Sequence, residues 1–335
     1  MYDVQFEELA VTAFGLHFKN PVGLAAGFDK HAETFSIIPD LGFGHMEIGS
    51  VSLQAWPGNP SPTLLRLPLD RGLINRPGLN SVGAEVVSAR LRSARFVVPT
   101  ALNLVKTADP KITGTEAIED YVENFARFYS VADYITLNIS CPNTAEGQTF
   151  EDPAILEPFM KRLRKREAEL NTGGAIKPVL LKLSPDLDDK ALDNVLEIGT
   201  RGSVSGYVIA NTTVRREGLK TSASTLAAFG SGGLSGLPLT KYTPSMVRKV
   251  WERTGGALPI IAVGGIGCDP TKHPAEVVWD YFNMGASLVQ LYTGLIYSGP
   301  SIVKTINRGL MDILRRERLS SLSEFFAKRR ERLSS

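Results

Sequence analysis

The sequence predicts an α/β protein of the (β/α)8 TIM-barrel class, and three observations point there. Short apolar runs alternate with longer amphipathic stretches from one end of the chain to the other, the pattern of β/α units around a parallel sheet. Eight such runs are present, enough to close a barrel. The turn after the first run reads Gly27-Phe28-Asp29-Lys30-His31, without the Gly-x-Gly-x-x-Gly that usually opens a doubly wound sheet. The strands are expected at residues 22–26, 45–49, 99–104, 134–138, 178–183, 206–210, 259–263 and 288–292, with helices at 115–130, 152–170, 189–200, 243–254 and 270–284. Ahead of them, residues 11–18 alternate apolar and polar around Gly15, as a hairpin plugging the barrel floor would. Two connections, 50–93 and 213–238, are too long for plain β/α turns and are expected to lie as long loops over the C-terminal mouth. The first is dense in Pro, Gly and Asn, including Pro57-Gly58-Asn59-Pro60 and Asn75-Arg76-Pro77-Gly78-Leu79-Asn80, which favours a functional lid over a plain spacer. Residues 1–335 are read as one domain, since barrels of this size commonly fold around one core.

Composition narrows the function class. With 43% hydrophobic and 21% charged residues the chain is neither disordered nor membrane-spanning in character. A formal net charge of +2 gives no basic field for nucleic acid, so a small-molecule substrate is the expectation. Cys141 and Cys268 are the only cysteines, far apart and outside any Cys-x-x-Cys arrangement, which argues against a disulfide framework or a metal cluster and fits a reducing cytoplasm. The four histidines form no ligand spacing either. The start, Met1-Tyr2-Asp3-Val4-Gln5-Phe6, lacks the layout of a signal peptide, so export is not expected. Near the other end, Arg315, Arg316, Arg318, Lys328, Arg329, Arg330 and Arg332 lie among Leu and Phe residues, with Ser321 and Glu324 spaced as a capping box. Such a segment could lie on an anionic membrane, but a terminal helix packed on the barrel is the preferred reading. Oligomeric state is not legible in one sequence.

On a barrel of this type functional side chains gather at the C-terminal ends of strands. Lys30 follows the first strand, Asn103 and Asn138 end the third and fourth, Lys182 lies at the end of the fifth, and Asn211 follows the sixth. A buried polar group without a partner costs roughly 1–3 kcal/mol, so five such residues at one rim imply a polar ligand. Glycines cluster at Gly232-Gly233, Gly264-Gly265-Ile266-Gly267 and Tyr292-Thr293-Gly294. Backbone amides approach an anion closely only where no Cβ intervenes, and barrels often bind phosphate after strands seven and eight, so these turns read as a phosphate cradle. The segment Asn138-Ile139-Ser140-Cys141-Pro142-Asn143-Thr144 runs from a strand end into a proline-fixed loop. A thiol there serves as nucleophile or base if it is activated, and as an inert buried residue otherwise.

The chain resembles the dihydroorotate dehydrogenase family over nearly its whole length. The likeness rests on Asn20-Pro21-Val22-Gly23-Leu24-Ala25-Ala26-Gly27-Phe28-Asp29-Lys30, Pro57-Gly58-Asn59-Pro60, Asn211-Thr212-Thr213, Gly232-Gly233-Leu234-Ser235-Gly236 and Leu291-Tyr292-Thr293-Gly294-Leu295-Ile296-Tyr297, in that order. The resemblance implies FMN across the barrel mouth, with its phosphate on Gly233, Gly264, Gly265, Tyr292 and Thr293. It places Ala26, Gly27, Ser50, Asn103, Asn138, Lys182 and Ala210 around the ring system and ribityl chain, and Lys30, Asn75, Asn138, Asn143, Asn211 and Thr212 on dihydroorotate. It further implies that Cys141 is the base and that Lys182 stabilises the reduced ring, in a reaction feeding pyrimidine (UMP) biosynthesis. The wording is closest to the membrane-associated, quinone-linked branch, whose base is a serine, whereas Ser140-Cys141-Pro142-Asn143 has the form of the soluble branches. That branch's N-terminal quinone extension is expected to be absent, because the first motif begins at Asn20. Ser50, Pro77, Leu79 and Val105 also depart from the family's wording. The electron acceptor stays open between quinone, fumarate and NAD. Two alternatives stand beside this reading: another FMN barrel oxidoreductase acting on a different pyrimidine, and an inactive flavin-binding module.

Overall fold

A computed structural model describes residues 2–140 and 149–334. Eight parallel strands close a barrel: Val22–Leu24, His45–Val51, Thr100–Leu104, Tyr134–Asn138, Val179–Leu183, Gly206–Ile209, Ile260–Val263 and Leu288–Leu291, numbered here one to eight. Strand one pairs with strands two and eight, and the ring is completed by pairing of strand five with strand six. Each of the eight predicted strands is present, as the fold class requires. Predicted starts at Pro99, Pro178 and Pro259 move on by one residue, because proline has no N–H to donate. Their carbonyls still join the barrel ladder, accepting from the amides of Met46, Ile135 and Tyr207 respectively.

The helices follow from their apolar faces and caps. Gly114–Phe128 turns Ala117, Tyr121, Val122, Phe125 and Phe128 inward at helical spacing. Pro153–Leu170 begins with Asp152 accepting from the Ala154 amide, and Asp189–Arg201 with Asp188 accepting from the Ala191 amide. The predicted helix at 270–284 starts only at Pro274, where His273 caps the Ala275 amide.

The N-terminal hairpin, Val11–Ala13 with Leu16–Phe18, closes the barrel floor. Phe14 at its tip stacks on Tyr134 with ring centroids 6.1 Å apart, and Phe18 meets His45 edge-on at 5.3 Å. Both partners are the first residues of barrel strands, so aromatic packing seals this end. The last helix, Leu322–Ser334, packs on the barrel's helical layer as expected: Leu322 and Phe326 are buried, and Phe325 lies 4.4 Å from the Trp279 ring. Ser321 accepts the Glu324 amide, and the Glu324 carboxylate reaches back to the Ser320 amide, one residue further than the predicted box. Among the described residues no helix is long and apolar enough to cross a membrane.

The two long connections differ from the expected loops. They contribute Leu64–Leu67 and Gly72–Asn75 from the first and Gly233–Gly236 from the second, joined as one three-stranded antiparallel sheet with Gly72–Asn75 in the centre. They also contain the helices Ala84–Leu91 and Ala223–Phe229. Leu67, Ile74, Phe229 and Leu234 form a separate apolar cluster under this sheet. The sheet brings Asn75 and the Gly233–Gly236 strand into one unit.

Candidate active site

A cavity of about 370 Å³ opens at the C-terminal ends of the barrel strands, within the range of small-ligand sites. Of the residues expected there, Ala26, Gly27, Lys30, Ser50, Asn75, Asn138, Lys182, Ala210, Asn211, Thr212, Gly264, Gly265, Tyr292 and Thr293 line it. Asn103 lies one layer deeper and is completely buried. Gly233 packs against Thr212 instead, since a Cβ there would meet the Thr212 hydroxyl at 2.0 Å; Ser235 and Gly236 of the same strand take its place on the wall. Cys141 and Asn143 lie outside the described residues.

The glycine turns meet a physical test for an anion. The amides of Gly264, Gly265, Thr293 and Gly294, all on the cavity wall, donate no hydrogen bond among the described residues. Gly265 sits at φ +70°, and a Cβ on it would come within 2.2 Å of Thr240 Cγ2. Beside them the Ser235 and Thr293 hydroxyls lie 2.8 Å apart. Buried donors without partners are costly, and four of them on one wall are suited to an anionic ligand.

The polar rim is built as a chain. Lys30 donates to Asn80 Oδ1 at 2.6 Å, and the buried Asp29 carboxylate fixes the turn by accepting the amides of Glu33 and Thr34. Asn75 is held by its Nδ2 on the Gly233 carbonyl at 3.0 Å. Deeper in, Glu47, 1% exposed, accepts from Thr136 Oγ1, Gln290 Nε2 and Asn103 Nδ2, each at 3.0 Å. Ser50 Oγ donates to Asn103 Oδ1 at 2.5 Å and accepts from Asn138 Nδ2 at 3.3 Å. Asn138 Oδ1 accepts from Asn211 Nδ2 at 3.2 Å and Ser140 Oγ at 3.3 Å. Lys182, opposite Asn138 in the sheet register, is buried. Burial pushes its ammonium below the usual lysine range, and the charge of Glu47 acts in the opposite sense.

Glu47, Gln290, Asn80 and Ser235 were not singled out from the sequence. Asn80 closes a motif read as a loop. Glu47 and Gln290 sit mid-strand, where the signal available was a polar residue inside a run otherwise buried on both faces. Gln290 turns its amide nitrogen to Glu47 and leaves Oε1 buried without a partner among the described residues, on the cavity wall.

A parallel barrel whose mouth joins undonated amides to a buried lysine and a belt of side-chain amides has the make-up of an enzyme site for a small polar molecule. Residues 8–314 match the family model described as dihydroorotate dehydrogenase. The chain belongs to the dihydroorotate dehydrogenase family, FMN-dependent oxidoreductases of pyrimidine biosynthesis. It is 41% identical over 313 residues to a protein of Nocardia farcinica named dihydroorotate dehydrogenase (quinone), covering 93% of this chain and 82% of that one. A Thermobifida fusca protein of the same name is 40% identical, with 95% and 82% covered. The ligand-free dihydroorotate dehydrogenase crystal structure from Eimeria tenella superposes with a TM-score of 0.86 at 30% identity, over 96% of this chain and 92% of that one.

Proposed function

We propose that this chain oxidises dihydroorotate to orotate with FMN bound in the described cavity. The observation that carries it is one cavity joining four undonated amides to a buried lysine among amides. Gly264, Gly265, Thr293 and Gly294 would hold the phosphate, Ser235 and Tyr292 would border it, and Ala26, Gly27, Ser50, Asn138, Lys182 and Ala210 would enclose the rest of the cofactor. FMN, when bound, supplies the two-electron acceptor for the hydride leaving C6 of the substrate.

The chain's own groups do the remainder. Lys30 offers an ammonium to the substrate carboxylate, and Asn75, Asn138 and Asn211 offer amide donors and acceptors to its ring. Asn143 and Thr212 complete this set in the reading. Lys182 places positive charge in a wall closed to water, where it favours an electron-rich ring. Cys141 takes the C5 proton, the step for which a thiolate is better suited than a hydroxyl at neutral pH.

For the acceptor we infer a quinone. The relatives in Nocardia and Thermobifida carry that name, and an apolar rim borders the cavity: Leu64, 48% exposed, lines it, and Phe28, 41% exposed, lies edge-on to Tyr292 at 5.8 Å. A cytoplasmic location belongs to the same reading, supported by two cysteines far apart in sequence and outside any Cys-x-x-Cys arrangement. The test is anaerobic addition of dihydroorotate to the purified yellow protein, followed by quinone, fumarate and NAD offered separately. Bleaching by dihydroorotate and recolouring by quinone are expected. A protein without FMN, or one whose FMN dihydroorotate does not bleach, overturns the assignment.

A further inference from the structure

A carboxylate at the centre of a barrel, under a cofactor site and away from solvent, calls for an account of what it does there. Ionised carboxyl oxygens only accept hydrogen bonds. Three donors from three different strands converge on Glu47: Asn103 from strand three, Thr136 from strand four and Gln290 from strand eight. Because Glu47 accepts, Asn103 must turn Nδ2 towards it and Oδ1 towards Ser50. Ser50 has one proton and gives it to Asn103, so towards Asn138 it can only accept. Asn138 therefore presents Nδ2 to Ser50 and Oδ1 to Asn211 and Ser140. One acceptor-only group thus dictates which way round two rim amides face, and the chain it starts ends at Ser140, the residue before Cys141. The same carboxylate is the one charged group acting on Lys182 among the described residues.

We propose that Glu47 is a positioning residue for the reaction: it fixes the donor–acceptor direction of the Asn103–Ser50–Asn138 chain and serves as the counter-charge of Lys182. This rests on the assignment of the cavity to FMN and dihydroorotate. Glu47 touches neither. It acts through Asn103 on the amide that meets the substrate, and through the field on the lysine beside the cofactor.

The test uses holoenzyme variants. Glu47→Gln keeps the shape, removes the charge and sets an N–H₂ group against one of the three donors, which reverses the chain from Asn103 onward. Orotate affinity, read from the flavin spectrum, is expected to fall about tenfold, the worth of one misdirected buried hydrogen bond. At a pH above the Lys182 ionisation of the variant, where the lysine has lost its charge, the reduced-to-oxidised ratio of bound FMN is expected to fall about tenfold, a drop of about 30 mV in a two-electron midpoint potential. In ¹³C-lysine NMR the Lys182 ε-carbon should titrate at lower pH than in the parent. Glu47→Asp retains the charge but pulls the carboxylate back from Asn103, so it should keep the potential and lose orotate affinity. The exchange Glu47→Gln/Asn103→Asp moves the carboxylate one position along the chain, where it again accepts from both sides, and should restore both readouts.

A Glu47→Gln enzyme with parental potential and orotate affinity overturns the proposal, even if its melting temperature falls, because a purely structural role predicts that pattern. If Glu47→Gln does not fold, the exchange variant decides, and a folded exchange variant unlike the parent in either readout overturns it. Failure of the parent itself to be bleached by dihydroorotate would strike the functional assignment on which this proposal rests, whereas a bleached parent with an unchanged Glu47→Gln variant strikes this proposal alone.

Discussion

Gly265→Ala tests the anion cradle most directly, because its cost can be worked from the backbone. Gly265 sits at φ +70°, where an L-residue with a Cβ costs roughly 1–2 kcal/mol. The new methyl would lie 2.2 Å from Thr240 Cγ2, so one of the two must move. Thr240 is not free to turn, since its hydroxyl donates to the Leu237 carbonyl at 2.7 Å, and breaking that bond costs about 1 kcal/mol more. The turn itself relaxes most easily by shifting its undonated amides, which moves them out of line with a phosphate. A total of about 2–3 kcal/mol expressed in binding is roughly a 30- to 150-fold loss of FMN affinity. Titration of flavin-stripped protein with FMN, followed by quenching of flavin fluorescence, measures it. Thr240→Ser removes Cγ2 and keeps the hydroxyl, so Gly265→Ala/Thr240→Ser should recover all but the backbone part, leaving affinity about 5- to 30-fold below the parent. Parental FMN affinity in Gly265→Ala would refute the cradle, and an equal loss in single and double variants would refute the steric account.

Three further outcomes are expected. Lys182→Met should slow anaerobic flavin reduction by dihydroorotate by about 100-fold or more, the usual loss when a preorganised stabiliser of developing charge is removed, while FMN stays bound; reduction at the parental rate would give Lys182 a structural role only. Reduction by the parent should speed up with rising pH until an apparent ionisation is passed, Cys141→Ser should be severely slowed with orotate binding retained, and Cys141→Ala slower still; an alanine variant reduced at the parental rate would send the search for the base elsewhere. Burial raises the Glu151 carboxyl from 4.5 to about 7; among the described residues the Ser184 amide donates to it and Asp186 adds a like charge. A raised acid contributes its stability below pH 4.5 and loses it as pH rises through 7, so urea unfolding should show Glu151→Gln gaining on the parent by about 2.5 kcal/mol between pH 5 and pH 8. A constant difference across that range would contradict the shift.

The barrel was legible because its strands are buried on both faces and read as unbroken apolar runs, such as Leu180-Leu181 or Ile260-Ile261-Ala262-Val263. The mouth sheet was not. Its strands are four residues long, and Leu64-Leu65-Arg66-Leu67 and Gly72-Leu73-Ile74-Asn75 pair with each other and with Gly233–Gly236, a partner some 160 residues away in sequence by the pairing of Gly233 with Asn75. No local period announces a strand whose partner is that distant. The hairpin at 11–18 was legible for the opposite reason, since both halves and the turn at Gly15 lie within eight residues.

The site divides along the same line. Lys30, Asn138, Lys182 and Asn211 stand out as polar groups where apolar strands end, and a strand end on a barrel has one destination, the mouth. Glycines carry no such address. Gly233 and Gly265 look alike in sequence, yet the first is small to admit Thr212 and the second to expose an amide, and only the neighbours that a Cβ would strike tell them apart. Glu47 is the harder case. A glutamate inside a barrel strand is costly to bury, and the sequence offers no compensating charge within its own unit: its donors come from residues 103, 136 and 290, and its counter-charge from residue 182. A buried carboxylate retained at that cost is better explained by what it orders than by what it stabilises. The groups it orders, Asn103, Ser50 and Asn138, lead directly to the rim that would face substrate.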